Sequence, residues 1–297
     1  MRPPMTIRDL GYRPYDGPRL PASNNTWVML RQGLRRAWGS WLVKLATFFS
    51  LGPPLVYGAI VFGLRYFLRE QIALDAEADP VNAADILRGV INVQTWVFVS
   101  MITVGAGAPA IAEDLTFKAF QFYFAKPVTP AQYLAGRTLA VGLWCFGIAF
   151  VPSLLVGLII VGTAPAGVVG EQAALMLPVL LYCLILATVM AAGSVSISSL
   201  SKSRALTMSA WLVLFIVPHV LASIVDAIAH ATGDENGWPW LYLGSFTGLL
   251  GVVRDALFKI ESDSELEWWH AAPILTALVV GAIALTMHRL KRAEVIT

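Results

Sequence analysis

Long apolar runs, rather than alternation with a period of two, organise this chain. They fall at about 45–64, 89–112, 138–163, 173–200, 205–225 and 271–288. Each is near the roughly 20 residues that a helix needs to cross about 30 Å of hydrocarbon. Backbone N–H and C=O groups find no water at that depth, so each run must bond within itself as a helix. The pattern predicts an all-α integral membrane protein with six transmembrane helices. The fourth run ends in Ser194, Ser196, Ser198 and Ser199, which shortens its apolar part.

Two segments outside the runs are amphipathic. Ahead of the first run, Trp27, Leu30, Leu34, Trp38 and Trp41 recur at spacings of three and four, with Arg31, Arg35 and Arg36 between them. That spacing predicts a basic helix lying along a membrane interface, with Asn25 or Thr26 as its N-cap. Between the fifth and sixth runs, Ser245 is placed to cap a helix over Phe246 to Ile260. Its apolar stripe is Phe246, Leu249, Leu250, Val253, Leu257 and Ile260. Trp238, Trp240, Trp268 and Trp269 bound it as interface anchors, so it reads as an interfacial or re-entrant helix. The expected division is an N-terminal segment, 1–40, carrying the interface helix, and a transmembrane domain, 41–297.

Composition agrees with lipid as the solvent: 57% of residues are apolar and 13% charged, against about a quarter charged in soluble domains. A net charge of +2 without a basic aromatic cluster points to no nucleic-acid partner. The placement of charge matters more than its total. Of the 21 Lys and Arg residues, 16 lie in the N-terminal segment, the second–third and fourth–fifth connections and the C-terminal segment; 5 lie in the other connections. The positive-inside rule then places both termini in the cytoplasm. Residues 1–26 carry no apolar core of a signal peptide, so none is expected. The expected location is the plasma membrane, as a multi-pass protein of the bacterial inner-membrane type.

Catalytic chemistry is sparse. No HExxH, GxSxG or intramembrane aspartate pair occurs, and no Lys follows a Gly, which excludes a phosphate-cradling GxxxxGK[ST] loop. His219, His230, His270 and His288 share no ligand spacing, and Cys145 and Cys183 read as small core residues. No metal or cofactor site is expected. Carboxylates stand at run ends or outside, which argues against ion-driven coupling at membrane depth. Any ATP hydrolysis must therefore come from a partner.

The largest internal basic connection, residues 110–137, is where such a partner would dock. Glu113 and Asp114 close the second run, and an aromatic stretch follows with Phe117, Lys118, Phe120, Phe122, Tyr123 and Phe124. Lys126-Pro127-Val128-Thr129-Pro130 then leads to Tyr133, Gly136 and Arg137. Thr129, with Pro130 at the first helical position, is a cap for the third run. The connection resembles that of ABC-2 type permease subunits of ABC exporters: an acidic pair at the membrane exit, a short coupling helix, a Pro turn, and a Gly-basic start to the next helix. One departure is the family's Arg-x-x-Gly-Thr after the acidic pair, which here is Leu115-Thr116-Phe117-Lys118-Ala119.

The resemblance implies a permease subunit that forms a translocation pathway with a second copy or a close paralogue. Two cytoplasmic ATPase subunits would hold the ATP and Mg. It implies a coupling loop of Glu113, Asp114, Phe117, Lys118, Phe120, Tyr123, Phe124, Lys126 and Pro127, with Phe120 and Tyr123 or Phe124 as docking anchors. The interface helix would present Trp27, Leu30, Arg31, Leu34, Arg35 and Trp38 to lipid. The alternative in another class is a non-transporting membrane scaffold or assembly factor of the same architecture.

Overall fold

The computed structural model describes residues 24–67, 79, 81–124, 128–165, 167–232, 238–260 and 266–295. Each of the six apolar runs is a helix long and apolar enough to cross a membrane. They are Trp41–Tyr66, Ala83–Thr116, Pro130–Gly162, Val169–Ser198, Arg204–Ala231 and Trp268–Arg292, the first to sixth spans below. No strand occurs among the described residues.

The second and third spans start well ahead of their apolar runs, each where a polar side chain satisfies free backbone groups. The second span starts at Ala83 because the Asn82 side chain accepts from the Asp85 backbone N–H at 3.3 Å. The third begins with the expected cap: Thr129 Oγ1 accepts from Gln132 N at 3.3 Å, and Gln132 Oε1 accepts from Thr129 N at 3.1 Å. Proline acts unevenly. The first span breaks at Ser50–Leu51, just ahead of Pro53-Pro54, and the second turns at Pro109. Pro152 and Pro218 sit inside uninterrupted helices.

The second span is the axis of the molecule. Its most apolar stretch is 72% buried, against 17% for the fifth and sixth spans. It is also irregular, with π-helical turns at Gln94–Val99 and Thr103–Gly107. Such turns shift which residues face which neighbour. Gln94 Nε2 consequently donates to the Ser50 carbonyl (2.8 Å), and Trp211 Nε1 donates to Thr103 Oγ1 (2.8 Å).

The connections segregate into two ends. At the basic end, the Thr116 hydroxyl donates to the Lys202 carbonyl, and Arg289 reaches the Ser199 carbonyl at 3.4 Å. At the acidic end, buried Arg65 pairs with Asp79 at 2.7 Å and donates to Thr163 Oγ1 and Gln172 Oε1, tying three spans together. Burial opposes ionisation of Asp79, but the bonds from Arg65, the Val81 N–H and Gln172 outweigh it and hold the carboxyl below its ordinary range.

The short acidic-end helix forms as expected with Ser245 as cap, its hydroxyl accepting from Gly248 N at 3.0 Å. It spans Phe246–Leu257, ending before Ile260 because Lys259 takes a left-handed φ of 53°. Trp238, Trp240, Trp268 and Trp269 all project outward.

The N-terminal helix, Asn24–Gly39, requires a correction. It starts at Asn24, so Asn25 and Thr26 stand within it instead of capping it. Its buried line is Met29, Leu30, Gly33 and Ala37, which pack on the third span, so Leu30 faces protein and not lipid. Trp27, Arg31, Arg35 and Trp38 share the exposed side, with Leu34 half-buried. The crossing is close because both helices carry small residues four apart, Gly33 with Ala37 and Gly136 with Ala140. A Cβ on Gly33 would lie 2.6 Å from the Ala140 Cβ, and one on Gly136 would lie 2.5 Å from the Met29 Cβ.

Candidate functional site

The acidic pair that closes the second span does not project toward solvent. Ser198 of the fourth span accepts from the Ile111 and Ala112 N–H groups (2.8 and 3.0 Å), starting a short helical turn, Ala112–Thr116, that swings both carboxylates inward. Asp114 is then saturated. Its Oδ1 accepts from Arg36 Nη1 at 2.6 Å, and its Oδ2 accepts from Tyr133 Oη at 2.5 Å and Arg137 Nη2 at 2.7 Å. Glu113 accepts from Arg36 Nε at 3.0 Å and from its Nη2, and pairs with Arg204 Nη1 at 2.9 Å. Four elements meet on two carboxylates: the N-terminal helix, the turn that ends the second span, and the third and fifth spans, while the fourth span holds the turn's backbone.

Buried ion pairs of this kind hold elements in register more than they add net stability, and losing one partner strands the other charge. Asp114 and Arg137 side chains are 5% and 2% exposed, so water cannot replace the lost partner. Burial works against the charge on Arg36, but Asp114 and Glu113 more than offset it, and its guanidinium is held charged above its ordinary range. The Arg137 guanidinium also lies over the Tyr133 ring, 5.5 Å from its centre.

The coupling segment hangs from this network. Phe120–Phe124 is a short helix. Tyr123 Oη accepts from Gln32 Nε2 (3.2 Å) and Arg137 Nη2 (3.3 Å), and Phe120 meets the Tyr133 ring edge-on at 5.3 Å. Phe120 is 4% exposed, so the side chain expected as a docking anchor is a core residue of the loop instead. Among the described side chains of the segment, Phe117 and Phe122, 75% and 72% exposed, are the aromatic rings that face outward; the Phe124 side chain lies outside them. Lys118 is also exposed. Lys126 and Pro127 lie outside the described residues.

Lys118 has a φ of 52°. The Ala119 N–H donates to the Asp114 carbonyl (2.9 Å) and the Lys118 N–H to the Leu115 carbonyl (3.4 Å), which is the Schellman ending of the preceding turn. Position 118 is where the related pattern carries glycine. The departure therefore keeps the backbone turn and substitutes a side chain that strains it.

The structure joins Glu113, Asp114, Tyr123, Tyr133 and Arg137, which the sequence shows only as members of one connection, into a single network, and adds Arg36 and Arg204, which the sequence reading does not include in it. Arg36 was legible only as one of three basic residues on an amphipathic helix. Its separate role follows from angle: it stands about 180° around the helix from Trp27, at 100° per residue. Arg204 carried no local signal at all.

The sequence pattern of the family described as ABC-2 family transporter protein matches residues 30–295, from within the N-terminal helix to the end of the sixth span. No curated protein matches the chain.

Proposed function

The chain belongs to the ABC-2 transporter family and is a permease component of an ABC transporter. From that premise we propose that two such chains form the translocation pathway of an exporter, each coupled to a separate cytoplasmic ATPase that binds ATP and Mg. The basic end faces the cytoplasm, as the distribution of Lys and Arg favours. Trp27, Arg31, Arg35 and Trp38 then lie at the headgroups of the inner leaflet. The sparsely buried fifth and sixth spans leave room for the second copy.

One observation carries this reading: the segment from Glu113 to Phe124 is two-sided. Phe117 and Phe122 point outward, while Asp114, Phe120 and Tyr123 are fixed inward. A groove on the ATPase would hold the outward rings, since a few buried aromatic anchors dominate such contacts. Movement of the ATPase would reach the N-terminal helix and three spans together through the carboxylate network. The spans would shift as a rigid body between two states.

Affinity purification of the tagged chain from its native membranes, followed by native mass spectrometry, tests the reading. The expected species holds two permeases and two ATPases and hydrolyses ATP, whereas the purified chain alone does not. A monomeric chain with no ATPase attached would overturn it, and a stable complex of other membrane proteins without an ATPase would favour a scaffold.

A further inference from the structure

At the acidic end, a cleft of about 430 Å³ opens between the second span, the fifth span and the short helix Phe246–Leu257. That volume is in the range of small-molecule sites, well beyond a single ion. Three of its lining residues hold a polar atom with no hydrogen-bond partner among the described residues: Arg88 Nε, His219 Nδ1 and Thr247 Oγ1. Buried polar groups are nearly always partnered, so three around one cleft mark a place where a partner is missing.

Charge divides along the cleft. Arg88 and Arg254 share the single carboxylate of Asp255, at 3.1 and 2.8 Å, which leaves the wall of the second span and short helix one positive charge in excess. The fifth span contributes Asp226, whose carboxylate is met by a backbone N–H from Trp238 and the Tyr242 hydroxyl, with His230 3.8 Å away. His219 lies seven residues from Asp226 on the same face of that helix, about 10 Å deeper. There its ring meets Trp96 edge-on at 4.7 Å and Tyr242 at 5.4 Å. The cleft thus has a mouth of opposite charges and an aromatic floor.

We propose that this cleft binds an amphiphile with a zwitterionic head, its anionic oxygens meeting Arg88 and Thr247, its ammonium near Asp226, and its apolar part on the rings of Trp96 and Tyr242. The site is independent of the coupling segment and of whether the bound molecule is transported. A phospholipid of the outer leaflet and a soluble zwitterion share this chemistry, and the choice of probe separates them.

The test is native mass spectrometry of the full chain in detergent, titrated with lysophosphatidylethanolamine, lysophosphatidylglycerol and glycerophosphoethanolamine. The lipid ethanolamine is expected to bind saturably at one site, about tenfold tighter than the lipid glycerol, the worth of one charged hydrogen bond. Arg88→Gln should weaken it about tenfold, and Asp226→Asn should erase the preference between the two lipids. Thr247→Val removes a hydroxyl that has no partner among the described residues, so it should weaken binding while leaving the melting temperature of the lipid-free chain unchanged. Equal affinity for the two lipids, or affinity unchanged in both Arg88→Gln and Thr247→Val, would overturn the proposal, as would no one-to-one adduct with any probe. Glycerophosphoethanolamine binding as tightly as the lipid would assign the same chemistry to a soluble zwitterion.

Discussion

The two ends of this molecule use the same residue types to opposite effect. Each gathers arginines, carboxylates and tyrosines around the second span, and each includes a short helix ended by a left-handed lysine, Lys118 or Lys259. At the basic end every carboxylate oxygen of Asp114 and Glu113 is engaged. In the acidic-end cleft, one carboxylate serves two arginines, and three polar atoms find no partner among the described residues, against Arg137 Nε alone in the basic-end network. Carboxylates with every oxygen engaged have one low-energy arrangement and transmit displacement. A cleft with several unpartnered donors and acceptors has capacity left over for a ligand.

The comparison is broken most forcefully at Asp114. Asp114→Ala leaves Arg137 buried without a counter-charge and should cost about 3–5 kcal/mol, read as a large fall in melting temperature in detergent. A loss under about 1 kcal/mol would mean that the network is an ordinary surface ion cluster. Next in size is the helix crossing that carries Arg36 to the network. Gly136→Leu drives a side chain into Met29 and should destabilise by about 1–3 kcal/mol, with the N-terminal helix becoming accessible to protease first. The smallest effect separates the two left-handed lysines from the networks beside them. Lys118→Gly and Lys259→Gly each relieve about 1–2 kcal/mol of backbone strain and add about 0.5–1 kcal/mol of chain entropy to the unfolded state. Both should raise the melting temperature slightly, and a loss at either would show that its side chain makes a contact of its own.

The helices and their caps are legible in the residue pattern alone. Six runs became six helices because lipid leaves the backbone no alternative, and Thr129 and Ser245 cap helices because the spacing to the N–H groups they bond is local. What escaped was set by contacts distant in sequence. Arg36 finds Asp114 across 78 positions, and Arg88 finds Asp255 across 167. The same blindness misassigned the aromatics. Phe117, Phe120 and Phe122 are alike in sequence, and contacts distant along the chain, the Tyr133 ring among them, set Phe120 inward. The π-helical turns of the second span likewise leave no period to read, so the placement of Trp96 in the cleft was invisible.

The central claim is that docking belongs to the outward rings and transmission to the inward ones. Co-purification of the ATPase with Phe117→Ala, Phe122→Ala and Phe120→Ala chains, at matched permease levels and with melting temperatures measured alongside, tests it most directly. Phe117→Ala and Phe122→Ala should shed the ATPase while melting like the unaltered chain, since losing a buried aromatic anchor costs about 2 kcal/mol or more of association. Phe120→Ala should lower the melting temperature by the equivalent of about 3–5 kcal/mol. Full retention of the ATPase by both outward variants, with loss only on altering Lys202 or Arg204, would contradict the account and move the docking site to the short connection between the fourth and fifth spans.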